Sequence, residues 1–233
     1  MGLAAITLPK NAQDELRTAY SSKATTASLD WIDRLHHDHS LNHCPVCGGL
    51  GARTIDHHLP KANYPEFSIF APNLIPCCGT CNSKRGNANK PGVPQTTLHP
   101  YFDSAILDAP LVFIKVRKPW CAPEFQLLRL PQYKATRERV KHHVRTSVDS
   151  AAFGTWAKGY WGDFRSKIAA KYQTAIQLEN ELKRMLATDA DSHGHNSWQA
   201  ALSRGVAKDQ ALMQWLVSNP VNVGNYTAAQ LGI

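Results

Sequence analysis

The sequence lacks any long apolar run and is poor in acidic residues. Its 233 residues include 18 Asp and Glu against 26 Lys and Arg, which gives a net charge of +8. No apolar stretch approaches the roughly 20 residues of a membrane-spanning helix, so we expect a soluble protein with no membrane contact. The excess of positive charge favours a polyanionic partner, and nucleic acid is the simplest such partner.

Targeting and nucleotide-binding motifs are also missing. The first ten residues have too short an apolar run for a signal peptide and no basic segment before it. Position 6 is Ile, so Gly2 lacks the Ser or Thr of a myristoylation motif. No GxxxxGK[ST] sequence is present, so any ATP-driven step would need a separate subunit. We therefore expect a cytoplasmic protein that does not itself hydrolyse ATP.

Cysteine is scarce but concentrated, since five of the six cysteines lie between residues 44 and 81. Two Cys-x-x-Cys pairs, Cys44 with Cys47 and Cys78 with Cys81, have the spacing of a four-thiolate structural zinc site. Such clustering is typical of metal binding in a reducing compartment and not of a disulfide framework. Cys77 is an alternative ligand to Cys78, but the two-residue spacing to Cys81 favours Cys78. The isolated Cys121 is expected to be a small buried hydrophobic residue.

The segment between the two cysteine pairs carries the chemistry-bearing side chains. Glycines precede a strand expected over residues 52–57. Its last two residues begin the sequence Asp56-His57-His58-Leu59-Pro60. A loop is expected over 61–72, a second strand over 73–76 and a helix over 78–85 that ends at Gly86. A ββα unit of this size buries too little apolar surface to fold without a metal ion.

This arrangement resembles the HNH endonuclease family, whose core is the ββα-metal fold. The residues that carry the resemblance are the two cysteine pairs, Asp56-His57 with Pro60, Asn73-Leu74, and Asn82 directly after Cys81. The resemblance extends over residues 43–87 and implies hydrolysis of phosphodiester bonds. DNA is the expected substrate and RNA is an alternative. The expected cleavage is nonspecific or directed by a partner, because no base-reading element is evident.

The resemblance also implies a role for each matching residue. His57 would be the general base that takes a proton from the attacking water. Asp56 and Asn82 would hold one catalytic cation, Mg²⁺ or Mn²⁺, through oxygen atoms. Asn73 would orient the loop and His57 from behind. Asn82 stands where many members carry histidine, which favours a harder cation. The expected nucleic-acid contacts are basic residues around this core, namely Lys61, Lys84 and Arg85.

Three alternatives remain open at this point. The four cysteines also suit a noncatalytic zinc module that only binds nucleic acid. Asp56 and His57 would then be the end of a surface strand without chemistry. His58 either assists catalysis or points to the opposite face of the strand, and the second is favoured because neighbouring residues alternate across a strand.

Outside the core, the sequence predicts an α+β protein that is mainly helical. We expect N-terminal helices in residues 1–42, the zinc-stabilised core in 43–90, and a β-hairpin with helices in 91–233. The hairpin strands are expected at 111–116 and 125–130, helices over 134–187, a polar loop over 188–196, a helix over 208–217 and a last turn from about Thr227.

Two further features of the C-terminal region allow a functional and a structural interpretation. Basic residues around 137–145 form either a phosphate-binding face or a solvated helix surface. Aromatic residues at helical spacing form a core more often than a base-stacking platform; here they are Trp156, Tyr160, Trp161 and Phe164. Residues 98–103 are similar to segments of bacterial HNH proteins linked to phage defence. This likeness suggests a defence nuclease controlled by an ATPase or sensor subunit.

Overall fold

A computed structural model describes residues 4–22, 27–37, 41–86, 88–93, 96–131, 134–169 and 171–220. These residues form two small two-stranded sheets surrounded by helices, which confirms the mixed helix and strand composition. The chain divides into two compact units. The first contains residues 1–111, 129–149 and 193–197, and the second contains residues 112–128, 150–192 and 198–233.

The secondary structure begins with two helices, continues with two pairs of strands separated by two short helices, and ends with five helices among the described residues. The strands are β1 Thr54–His57, β2 Leu74–Cys77, β3 Val112–Arg117 and β4 Glu124–Arg129. The helices are α1 Lys10–Ser21, α2 Asp30–His37, α3 Gly79–Arg85, α4 Ser104–Leu107, α5 Lys134–Ser147, α6 Ser150–Ala169, α7 Ala175–His193, α8 Trp198–Ala207 and α9 Gln210–Ser218. None of the helices described is both long enough and apolar enough to cross a membrane.

The first unit contains the predicted sequence of two strands and a helix. β1 and β2 are antiparallel, with Asp56 opposite Ile75 and His57 opposite Leu74. Helix α3 starts after Cys78, whose side chain accepts a hydrogen bond from the first turn. It ends at Gly86, which has a φ of 41° that favours glycine. All three predicted elements are therefore present, within two residues of the expected positions.

The two N-terminal helices cover one face of this small sheet. Ile55 and Leu74 are buried against Ile32 of α2, and α1 contributes Tyr20 to the same cluster. Because side chains alternate along a strand, Ile55 and Asp56 lie on opposite faces of β1. The apolar face is thus buried under α1 and α2, whereas Asp56 is placed toward α3.

In the second unit, helix α8 packs directly on strand β3. A Cβ atom added at Gly205 would lie 1.7 Å from the carbonyl oxygen of Ile114, so only glycine allows this approach. Trp161 and Phe164 of α6 are buried, as expected for core aromatics. Trp156 and Tyr160 stack with their ring centroids 5.0 Å apart.

Two parts of the secondary structure beyond residue 187 differ from expectation. Residues 188–193 belong to α7 and not to a polar loop, because the preceding helix continues through a run of polar residues that cost little on a solvated helix. Helix α8 was not predicted. In the division into two units, residues 129–149 and 193–197 belong to the first unit. The turn expected from Thr227 lies outside the described residues.

Candidate metal centre and active site

Four cysteines from the two ends of the core converge on one point. The sulfur atoms of Cys44, Cys47, Cys78 and Cys81 all lie within 4.8 Å of one another. The Sγ atoms of Cys47 and Cys78 are 3.8 Å apart, which is about the edge of a tetrahedron with Zn–S bonds of about 2.3 Å. In the part of the chain that the structure describes, no other cluster of three or more His, Cys, Asp or Glu ligands is found. The cluster can hold a metal ion such as zinc.

Backbone amides donate to three of the four sulfur atoms, which favours the ionised form of these three, whereas Cys81 Sγ donates to the carbonyl oxygen of Ser147 at 3.0 Å. The amide of Gly49 donates to Cys47 Sγ at 3.4 Å, and the amide of Cys78 donates to Cys44 Sγ at 3.3 Å. The amide of Cys81 donates to Cys78 Sγ, also at 3.3 Å. Hydrogen bonds with Cys44 and then with Cys47 and Cys81 lower the pKa of Cys78. Such donors around thiolates are typical of structural metal sites.

The two remaining cysteines lie outside the cluster. Cys77 is fully buried, its sulfur lies 3.6 Å from the Thr54 hydroxyl, and burial raises the pKa of its thiol to about 12. The spacing argument that chose Cys78 over Cys77 is therefore confirmed by the position of the sulfur atoms. Cys121 is exposed, so the expectation of a buried Cys121 was wrong. A lone cysteine gives no periodic pattern from which its burial can be inferred.

Distant segments of the chain hold the first cysteine pair in place. Gly48 has a φ of 75°, and a Cβ atom there would lie 1.8 Å from the carbonyl oxygen of Asn196. His143 of α5 accepts a hydrogen bond from Leu98 at Nδ1, and its Nε2 lies 2.8 Å from the carbonyl oxygen of Val46, to which it donates. Burial lowers the pKa of His143 to about 3, so the ring is neutral at physiological pH.

His57 ends strand β1 and is partly buried beneath α1. Its Nε2 atom lies 2.9 Å from the carbonyl oxygen of Ser68, and a carbonyl only accepts, so Nε2 carries the proton. The ring also meets the edge of Tyr20, with 4.4 Å between centroids. Burial lowers the pKa of His57 to about 4, against an opposing effect of the Ser68 carbonyl. The neutral ring therefore presents the lone pair of Nδ1.

Asp56 lies on the other face of β1 and meets a buried arginine of α3. Its Oδ2 atom is 2.7 Å from Nη1 of Arg85, and both side chains are almost completely buried. The two atoms are not aligned for a hydrogen bond, and Oδ2 has no hydrogen-bond partner among the described residues. Burial raises the pKa of Asp56 to about 6, although Arg85 and the backbone amide of His57 lower it.

The interior position of Arg85 differs from the expected contact with nucleic acid. Arg85 is only 4% exposed, and its Nη2 atom reaches Nδ1 of His58 at 3.2 Å and the hydroxyl of Thr97 at 3.0 Å. His58 shares the face of Asp56, as the alternation of side chains predicts, and is buried. Burial lowers its pKa to about 2. The sequence showed a basic residue at the end of a short helix but not the direction of its side chain.

Asn82 and Asn73 form hydrogen bonds with β1 and with the loop that follows it. Asn82 of α3 donates from Nδ2 to the carbonyl oxygen of Ile55 at 3.3 Å, which brings its amide next to β1. Asn73 is buried, and its Oδ1 accepts from the Leu59 amide at 2.7 Å. Its Nδ2 donates to the carbonyl oxygens of Leu59 and Phe67, both at 3.0 Å. Asn73 thus ties both ends of the loop that carries Ser68, the partner of His57.

The other two basic residues expected near nucleic acid lie nearer the surface. Lys84 is exposed, with Nζ 2.6 Å from the carbonyl oxygen of Val148. Lys61 has its ammonium group 4.6 Å from the centre of the Tyr20 ring. Both positions leave the positive charge at or near solvent, where it can meet a polyanion.

Sequence reasoning missed the contacts that position the catalytic candidates. The Ser68 carbonyl is a backbone group, so residue identity gives no indication of its role. Tyr20 and Arg17 come from α1, and Arg17 donates to the carbonyl oxygens of Lys61 and Ala62. These contacts depend on how α1 packs against the core, and no motif in α1 predicts them.

Comparison with known proteins gives one partial relative. The chain is 43% identical over 65 residues to Protein ea31 of Escherichia phage lambda, a match that covers 27% of this chain and 22% of that protein. The chain thus spans about a fifth of the length of this curated relative. No protein-family model matches the chain, and no solved structure matches it.

Proposed function

We propose that this chain is an HNH-type endonuclease that hydrolyses phosphodiester bonds of DNA in a metal-dependent reaction, with His57 as the general base. The observation that carries the proposal is the pairing of His57 Nε2 with the Ser68 carbonyl, 2.9 Å away. This contact fixes the tautomer and the orientation of the ring. It leaves Nδ1 as the atom that accepts a proton.

The ring is neutral and can accept a proton at Nδ1. Burial lowers its pKa to about 4, which keeps the lone pair available at pH 7 but makes the ring a weaker base than an ordinary histidine. When Nδ1 takes the proton from a water molecule, the Ser68 carbonyl stabilises the new positive charge through Nε2. Asn73 supports this step indirectly, because it holds the loop that places Ser68.

Asp56 and Asn82 are the residues that would hold the catalytic cation, Mg²⁺ or Mn²⁺. Both offer oxygen atoms, the ligand type these ions prefer. Oδ2 of Asp56 lies buried 2.7 Å from Nη1 of Arg85, so a cation bound there would have to share the carboxylate with this arginine or displace it. The ion would neutralise charge on the scissile phosphate and on the departing 3′ oxygen.

The four-cysteine cluster is proposed to be a structural zinc site. Four thiolates leave no open coordination position for a substrate or a water molecule. The cluster joins the segment that carries Cys44 and Cys47 to the N-terminal end of α3, so the metal would hold α3 and Asn82 next to β1. Lys61 and Lys84 are proposed to contact phosphates around this core.

One observation favours a second candidate, a noncatalytic zinc module that binds nucleic acid. Arg85 already lies 2.7 Å from Asp56 and compensates its charge. In a binding module this ion pair would be permanent and Asp56 would need no metal ion. The control of the nuclease by an ATPase or sensor subunit of a phage-defence system stays a prediction. Comparison of the chain purified alone with the chain purified with its genomic neighbour would test it.

The deciding experiment is cleavage of supercoiled plasmid with Mg²⁺ or Mn²⁺, with and without EDTA. We expect metal-dependent nicking or linearisation that is lost in His57→Ala and kept in His37→Ala, a control at an exposed histidine of α2. Zinc content and DNA binding should be unchanged in His57→Ala. Equal cleavage by His57→Ala and the native chain would refute the role of His57. Absence of cleavage by a zinc-loaded chain that binds DNA would favour the binding module.

A further inference from the structure

The exposed aromatic side chains of the described residues are gathered in one place. Three aromatic residues are largely exposed, with exposed fractions of 49% for Phe70, 48% for Tyr101 and 72% for Phe102. All three line two neighbouring cavities of the first unit. Exposure of large apolar rings is unfavourable in water, so their concentration on one surface indicates a binding site.

Phe102 and Pro72 line both cavities, so the two cavities are neighbours. The first cavity, about 330 Å³ in volume, is also lined by Phe67, Phe70 and His99. The second, about 500 Å³, is lined by Trp31, Leu35 and Tyr101. We call these two neighbouring cavities the aromatic groove. Each volume lies within the range of small-molecule sites, and each cavity is lined by Phe102 and at least one other aromatic residue.

We propose that the aromatic groove binds two successive unpaired bases of a single-stranded nucleic acid, one in each cavity. The inference deepens the proposed function and rests on it for the choice of nucleic acid as the ligand. Unpaired bases stack on aromatic side chains, whereas the bases of an intact duplex are already stacked on one another. The net charge of +8 complements the backbone of such a strand.

The groove adjoins the candidate active site along the chain. Phe67 precedes Ser68, the hydrogen-bond partner of His57, and His58 directly follows His57; both residues line the first cavity. Asn73, which ties this loop together, lines the same cavity. A strand whose bases occupy the groove would therefore have its backbone near the loop that positions His57.

Polar side chains that line the groove already form hydrogen bonds with other groups of the protein. Asp103 accepts hydrogen bonds from the two terminal nitrogens of Arg139, both at 2.6 Å, and from the His99 amide. His99 lies with Nε2 2.9 Å from the carbonyl oxygen of Pro72, and its Nδ1 accepts from the Tyr101 amide. The groove can therefore stack bases but offers little hydrogen-bonded recognition of their edges, so we expect weak sequence preference.

The test is binding of a fluorescent 12-nucleotide single strand and of the matching duplex, measured by fluorescence anisotropy of the zinc-loaded chain without added Mg²⁺ or Mn²⁺, so that no cleavage occurs. Phe102→Ala should weaken single-strand binding roughly 5- to 150-fold, the range for loss of base stacking, and change duplex binding less than about twofold. Phe102→Tyr keeps the ring and should bind normally. Phe102→Leu keeps apolar volume without an aromatic face and should be nearly as weak as Phe102→Ala. Ile176→Ala, at an equally exposed residue, is the control.

Several outcomes would overturn the proposal. One is native single-strand affinity in Phe102→Ala, and another is an equal loss for single strand and duplex. Native affinity in Phe102→Leu would show that the contact needs only apolar volume, which would overturn base stacking on Phe102. DNA and RNA single strands should bind alike, since stacking does not involve the 2′-hydroxyl. His57→Ala should bind as the native chain does, so failure of the nuclease proposal would appear in the plasmid assay and not here.

Discussion

Asp56 of β1 and Arg85 of α3 form an ion pair of 2.7 Å inside the first unit, where both side chains are almost completely buried. The pair links the strand that carries His57 to the helix that carries Cys81 and Asn82. A buried pair of this kind is sensitive to the loss of one partner, because the remaining charge is left in an apolar environment. It therefore connects the stability of the core to the candidate active site.

Removal of one member of this pair should destabilise the protein strongly. Arg85→Ala should lower the free energy of unfolding by about 3–5 kcal/mol, measured by urea denaturation of the zinc-loaded chain. The double variant Asp56→Ala/Arg85→Ala should lose clearly less than the sum of the two single changes. The exposed pair of Asp30 and Arg34 is a control, and Arg34→Ala should cost about 0–1 kcal/mol. Additive effects at 56 and 85 would contradict the pairing.

Substitution of the adjacent residues Cys77 and Cys78 should affect zinc binding very differently. Cys78→Ser should lose the bound zinc and destabilise the fold, whereas Cys77→Ser should keep zinc because its sulfur lies outside the cluster. Zinc stoichiometry by elemental analysis and the thermal midpoint measure both effects. Cys121→Ser is the exposed control. Loss of zinc in Cys77→Ser with retention in Cys78→Ser would reverse the assignment.

Two substitutions of the buried Asn73 should destabilise the protein to different degrees. Asn73→Ala leaves the Leu59 amide and two carbonyl groups without their partner, and unsatisfied buried groups cost about 1–3 kcal/mol each. Asn73→Asp should be worse, since a carboxylate oxygen would face the carbonyl oxygens of Leu59 and Phe67. Plasmid cleavage should fall in the same order as thermal stability, because the loop positions Ser68. An Asn73→Asp variant more stable than Asn73→Ala would contradict these hydrogen bonds.

The buried, neutral His143 should make the folded protein less stable in acid. Its pKa is about 3 in the folded chain and 6.5 at its ordinary value. Below pH 6.5 the unfolded chain takes up a proton at this residue and the folded chain does not. Stability is therefore full above pH 6.5 and falls by about 1.4 kcal/mol per pH unit as pH drops toward 3.

Urea denaturation between pH 7.5 and 4.5 measures this dependence. His143→Gln, which does not titrate, should show a slope smaller by about one proton, and His37→Gln at the exposed histidine of α2 should keep the native slope. An unchanged slope in His143→Gln would mean that the residue is not held neutral in the fold. The neutral state of His143 matters because this ring connects α5 to the first cysteine pair.

Local patterns in the sequence predicted the core well because each of its elements has a local physical cause. The two-residue spacing in each cysteine pair favours convergence on one metal ion, and the sulfur atoms do converge. Gly86 ends α3 because only a residue with little steric hindrance takes its φ of 41°. The strands β1 and β2 follow from short β-prone segments bounded by glycine and proline.

Features that depend on distant contacts were not predictable in this way. Residues 129–149 belong to the first unit because His143 and Arg139 of α5 bond to Val46 and Asp103. A basic helix gives no indication of which of its side chains turn inward. The same holds for Arg85, which appeared as a surface cation in the sequence and is a buried partner of Asp56 in the structure.

By itself the sequence determined the ββα order, the cysteine ligands and the residues placed around β1, since these depend on spacing along a short segment. Only the tertiary structure decided which atom of His57 carries the proton, because the Ser68 carbonyl reaches it across a loop. It also decided that Asp56 meets Arg85 and that Phe102 lines two neighbouring cavities. Packing fixes the direction of a side chain, whereas a local pattern fixes only its position along the chain.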